Sequence, residues 1–175
     1  MPLFLDACAF VKRYVNEGTS TERMREITGR FDDWSGLLVS SFVEPEVVSA
    51  LAGHTRGRVR RTITPRLLRK HRAMVKAFRR DLSTEAVGIV PLTTGLITEA
   101  ASLLDLHPDY NISAADAVHL VTAMQIRPEL QETLVFVTAD RRLERAAQAE
   151  GFATLNPLND GAEALETFFP SGGAG

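Results

Sequence analysis

The 175-residue chain holds one cysteine, Cys8, so no internal disulfide can staple it. That suits a reducing compartment. No apolar run is long enough to span a bilayer, which excludes a helical membrane protein. The first residues, Met1-Pro2-Leu3-Phe4-Leu5, carry no basic region and no extended apolar stretch before Asp6. A secretory signal is therefore not expected, and the chain is expected to be cytoplasmic. No internal repeat is visible, and no cluster of His and Cys has zinc-site spacing. Acidic residues are missing altogether from Thr55 to Arg80.

That last absence exposes an asymmetry under the net charge of −2. The 55–80 stretch contains eleven of the twenty Lys and Arg residues. The rest of the chain sets nine basic residues against 22 acidic ones, a formal −13. An acidic body with one basic segment fits a cation site beside a polyanion-binding surface. Arg60, Arg61, Arg69, Lys70 and Lys76 are the candidate RNA contacts in this stretch. A merely solvated helix face, or a dock for an acidic protein segment, is the competing reading.

Apolar runs alternate with helical patterns. Leu3–Leu5, Leu37–Val39, Val87–Val90, Leu134–Val137 and Phe152–Leu155 read as strands. Helices are expected over Ala7–Val15, Thr19 to about Arg30, Phe42–His54, Pro65–Leu82, Thr93–Leu106, Ser113–Ile126 and Arg141–Glu150. Pro65 suits a first helical turn. Phe31-Asp32-Asp33 reads as a polar turn. Strands that alternate with helices predict an α/β fold with a small, mostly parallel sheet flanked by helices. One domain is expected over residues 1–158, with residues 55–83 as a basic helical insertion. Residues 159–175 form a C-terminal extension whose Gly-rich end reads as disordered.

Ligand sites in open parallel sheets lie beyond the carboxyl ends of the strands. Asp6 directly follows the first strand, and Asp140 follows the fourth after Thr138-Ala139. Glu46 and Asp116 lie on helices among small or apolar neighbours. Each has a plain structural reading as well. Asp6 and Asp140 could cap the helices they precede, and Ser113-Ala114-Ala115-Asp116 is a capping box. The functional reading rests on all four converging. Two carboxylates about 4 Å apart repel by about 4 kcal/mol at an effective dielectric near 20. A hard dication relieves that, and an all-oxygen set suits Mg²⁺ or Mn²⁺. Such an ion can activate water for attack at a phosphodiester.

Four blocks in order resemble the PIN-domain family, and its VapC-like toxins in particular. They are Leu5-Asp6-Ala7-Cys8-Ala9-Phe10-Val11-Lys12, the Ser40–Leu51 segment with Glu46, Ser113-Ala114-Ala115-Asp116-Ala117-Val118-His119, and Phe136-Val137-Thr138-Ala139-Asp140-Arg141-Arg142-Leu143. The resemblance spans about residues 3–157. It implies a three-layer PIN-like fold and metal-dependent endoribonuclease activity, with Asp6, Glu46, Asp116 and Asp140 as catalytic and metal-binding carboxylates. It also implies support from the Thr138 hydroxyl, a cognate VapB-like antitoxin, and a homodimer. Cys8 stands where the family commonly has Ser or Thr.

Glu44 rivals Glu46 as the second carboxylate. Glu46 is preferred because Ala50, four residues on, would keep a small-residue face inward. His119 is expected to be a partly buried structural histidine, and Trp34 and Tyr110 to pack rather than stack on bases. Two other classes compete with the ribonuclease. One is a PIN-like RNA-binding module without catalysis. The other is a receiver-like phospho-acceptor domain, disfavoured because Thr138-Ala139-Asp140-Arg141 follows the fourth strand where a lysine would be expected.

Overall fold

The computed structural model describes residues 1–16, 18–29, 36–57, 63–160, 164, 167 and 168. Five strands form one sheet: β1 (Leu3–Leu5), β2 (Leu37–Ser40), β3 (Val87–Val90), β4 (Val135–Val137) and β5 (Ala153–Leu155). Their spatial order is β3-β2-β1-β4-β5, and every pairing is parallel. Parallel pairing requires a crossover between successive strands. The helices supply it: α1 (Ala7–Val11), α2 (Thr19–Gly29), α3 (Val43–Arg56), α4 (Pro65–Leu82), α5 (Thr94–Leu106), α6 (Ala114–Ile126) and α7 (Arg141–Ala149).

Side-chain alternation along the strands divides the core into two layers. Leu3, Leu5, Val39, Val135 and Val137 face one way and pack with residues of α1 to α4, including Phe10, Met24, Val47 and Phe78. Phe4 and Phe136 face the other way and pack with Leu96, Leu120 and Leu143 of α5, α6 and α7. Phe4 stacks on Phe136 with ring centroids 5.5 Å apart. This is the expected three-layer α/β arrangement.

Within the basic stretch, residues 65–82 form the single helix α4. Thr64 caps α4 through the Leu67 N–H, and Pro65 opens the helix. Met74, Phe78 and Leu82 repeat every four residues and form its buried stripe. Phe78 meets Phe10 edge-on at 5.5 Å, and Asp81 accepts from Arg13 Nε at 3.0 Å. Arg66, Arg69, Lys70, Arg72, Lys76, Arg79 and Arg80 are all exposed. Arg60 and Arg61 lie outside the described residues, as do Trp34, the expected turn at 31–33 and the end of the tail.

Two expectations need correction. Helix α1 ends at Val11, not Val15. Lys12, Arg13 and Tyr14 close tighter turns by donating to the carbonyl three residues back. Ala50 is exposed, so it does not define the inward face of α3. The buried face is Val43, Val47 and Leu51, and Glu46 flanks it.

Candidate active site

Strands β2 and β3 lie on one side of β1, and β4 and β5 on the other. The order reverses between β1 and β4, and that is where such sheets bind ligands. Asp6 sits at this point. Its N–H donates to the Val137 carbonyl at 3.2 Å, which anchors the end of β1 to the end of β4.

Asp6 is 2% exposed. Its Oδ1 accepts from the Ala9 N–H at 2.8 Å, so it caps α1. Its Oδ2 accepts from the Thr138 hydroxyl at 2.9 Å and from the Cys8 thiol at 2.8 Å. Loss of hydration raises its pKa from 3.8 to about 6, although these donors and the nearby His119 favour the ionised form.

Thr138 is fully buried and also accepts from the Asp140 N–H at 3.1 Å. One hydroxyl therefore ties Asp6 to the loop that carries Asp140. Asp140 caps α7 through the Arg142 N–H at 2.7 Å. Burial works against its ionisation, but hydrogen bonds from the Arg142 backbone and side chain hold its pKa below the ordinary value. Cys8 adds a second bridge, because its sulfur accepts from the Ala139 N–H at 3.1 Å. Burial and the charge on Asp6 push the Cys8 thiol well up, so it stays protonated and able to donate. The sequence marks Cys8 only as an unusual residue. Its bridging role spans 131 residues and has no local signal.

The other two carboxylates have partners of their own. Glu46 Oε2 is bonded to His119 Nε2, from α3 to α6. Glu44 turns away to Arg79 on α4, at 2.9 Å. Asp116 completes the capping box of α6: it accepts from the Ser113 N–H at 2.9 Å while Ser113 Oγ accepts from the Asp116 N–H. Tyr110 stacks on His107 and donates to Glu150, a packing role.

Among the described residues, no three His, Cys, Asp or Glu side chains are grouped as a ready cation cage. Mg²⁺, however, is commonly held by one or two carboxylates, with water and substrate phosphate completing its shell. The donor chemistry here fits that mode. Asp6 is a desolvated carboxylate, and Thr138 links it to Asp140. Asp6 and Asp140, joined through Thr138, are the carboxylates that could hold such an ion, whereas Glu46 and Asp116 are not grouped with them into one cluster of three or more.

The fold and this strand-end acidic site define a class, the parallel α/β domains that bind ligands at a topological switch. The PIN-domain model matches residues 3–149, and the chain belongs to the PIN-domain family. No curated protein sequence matches it. Among solved structures it is similar to VapC20 of Mycobacterium tuberculosis, described as a sarcin–ricin loop cleaving toxin. That match has 15% identity and a TM-score of 0.63, covering 89% of this chain and 99% of the other. It is also similar to FitAcB of Neisseria gonorrhoeae, with 16% identity and a TM-score of 0.57, covering 90% and 99%. VapBC2 of Rickettsia felis, solved with a DNA fragment from its promoter, gives 14% identity and a TM-score of 0.55, covering 89% and 98%. No helix among the described residues is long and apolar enough to cross a membrane.

Proposed function

We propose that this PIN-domain chain is a Mg²⁺- or Mn²⁺-dependent endoribonuclease, the toxin of a VapBC-type pair. The observation that carries the reading is Asp6: a buried carboxylate at the switch point, tied through Thr138 to the loop bearing Asp140. Asp6, Glu46, Asp116 and Asp140 are proposed as the catalytic and metal-binding carboxylates, with Thr138 in support. When bound, the divalent ion supplies an activated water and screens charge at the scissile phosphate.

The chain's own residues do the rest. Thr138, Cys8 and the Ala9 N–H orient Asp6. The exposed Arg69, Lys70 and Lys76 of α4 hold phosphates of the RNA strand without reading its sequence. Arg60 and Arg61 are assigned the same role from sequence. A cognate VapB-like antitoxin is the proposed partner, supported by the toxin–antitoxin names of the similar structures. A homodimer is the proposed assembly, to be checked by light scattering. A cytoplasmic location is proposed as well.

A second reading has one observation in its favour. Glu46 and Asp116 are already engaged, by His119 and by the Ser113 cap. That would suit an RNA-binding module without turnover. One assay separates the two. Purified protein with Mg²⁺ or Mn²⁺ should cut RNA and lose that activity in EDTA. Asp6→Asn and Asp116→Asn should fold and not cut. RNA affinity with no turnover at any concentration of either ion would favour the binding module.

A further inference from the structure

His119 is a buried ionisable group bonded to one of the four carboxylates, and its two ring nitrogens have opposite surroundings. It lies one turn beyond Asp116 on α6, between the rings of Phe4 and Phe42 at centroid distances of 6.4 and 6.3 Å. Nε2 meets Glu46 Oε2, while Nδ1 is buried with no partner among the described residues. A proton on Nδ1 would be an unpaired buried donor, whereas a proton on Nε2 has a carboxylate to receive it. The second arrangement costs less. His119 therefore donates from Nε2 to Glu46.

The pair is unequal. The His119 side chain is 2% exposed and that of Glu46 25%. The imidazole is the anchor, and the glutamate is the movable end. Glu46 flanks the buried stripe of α3 and nothing in its own helix turns it inward. Glu44, two residues earlier and without such an anchor, points out to Arg79. The bond to His119 uses one lone pair of Oε2. No donor among the described residues reaches Oε1.

We propose that His119 is a positioning residue: it fixes Glu46 through one oxygen and leaves the other lone pairs open to a cation. Hydrogen bonds of this kind to a metal-binding group commonly change affinity by 10- to 100-fold. The inference rests on the nuclease reading above, and the test separates them.

The experiment measures Mn²⁺ affinity of the full-length chain by electron paramagnetic resonance of the free ion, alongside RNA cleavage. His119→Gln keeps a donor and should stay within about threefold of the unmodified chain. His119→Leu should weaken Mn²⁺ binding about tenfold or more. In a Glu46→Gln background the Leu substitution should add nothing, because its effect passes through Glu46. Nitrogen NMR of the metal-free chain should show the Nε2–H tautomer for His119. If His119→Leu does not fold, His119→Asn, whose shorter amide cannot reach Glu46, takes its place.

Unchanged or tighter Mn²⁺ binding by the Leu variant would overturn the inference, the tighter case meaning that His119 withholds Glu46. Losses that multiply in the double variant, or an Nδ1–H tautomer, would overturn it too. If the unmodified chain binds no Mn²⁺ and cuts no RNA, the nuclease reading itself fails and takes this inference with it.

Discussion

The hydroxyl of Thr138 donates to Asp6 Oδ2 at 2.9 Å, joining two residues 132 positions apart. The same oxygen accepts the Asp140 N–H. One buried side chain thus orders two acidic positions at the end of the sheet. Thr138→Val keeps the shape and removes both bonds. It should cost about 1–3 kcal/mol in urea unfolding, because the buried Asp6 Oδ2 is left with only the Cys8 donor and the half-buried Asp140 N–H loses its acceptor. Cleavage should fall about 10- to 100-fold. Thr138→Ser should recover most of both. A Val variant as active as the unmodified chain would remove the hydroxyl from the site's machinery.

The buried Asp6 makes the stability of the metal-free chain depend on pH. Its folded pKa is about 6 against an ordinary 3.8, so the folded state holds the proton more tightly. That contribution is complete below about pH 4 and is lost as pH rises through about 6. Its full size is on the order of 3 kcal/mol. Asp6→Asn should therefore gain stability over the unmodified chain in EDTA at pH 7.5, with little gain at pH 4. The midpoint difference between the two proteins, read by thermal melts across that range, checks the sign. A difference independent of pH would contradict it.

The exposed face of α4 offers a separable test. Arg69, Lys70 and Lys76 point to solvent, with no acidic residue nearby in sequence. Neutralising all three to Gln should leave thermal stability nearly unchanged. The slope of log affinity against log salt for single-stranded RNA should shrink by about 2, at roughly 0.7 per lost phosphate contact. Anisotropy titrations in the Asp6→Asn background would measure it without cleavage. An unchanged slope would leave this face as a solvated surface or an antitoxin dock.

A packing prediction concerns the sheet that carries the site. Gly88 on β3 pairs with Leu38 on β2, and a Cβ there would stand 2.7 Å from Leu38 Cδ2. Leu38 is half-buried and packs against the second core layer, so a shift of its Cδ2 disturbs that contact. Gly88→Val should cost about 1–3 kcal/mol through overpacking. A small compensating change, Leu38→Ala in the same chain, should relieve part of it. Chemical denaturation of the single and double variants would show the coupling.

Much of this molecule is legible from local sequence. Short apolar runs mark all five strands, and β1 and β4, buried throughout, need no polar face. Thr64-Pro65 marks the start of α4, and Ser113 with Asp116 marks the cap of α6, since those side chains satisfy backbone groups a few residues away. Asp6 stands out because it directly follows an apolar strand. Other features depend on neighbours that sequence spacing does not supply. Glu44 and Glu46 are two residues apart on one helix, and only Arg79 and His119, from two other helices, send them different ways. The exposure of Ala50 is set by which face α3 presents to the sheet. The bridge from Cys8 to Ala139 and the hold of Thr138 on Asp6 exist because β1 and β4 lie side by side. Local hydrogen bonding and hydrophobic pattern decide the elements. Contacts between distant segments decide where each charge points, and those form only when the sheet assembles.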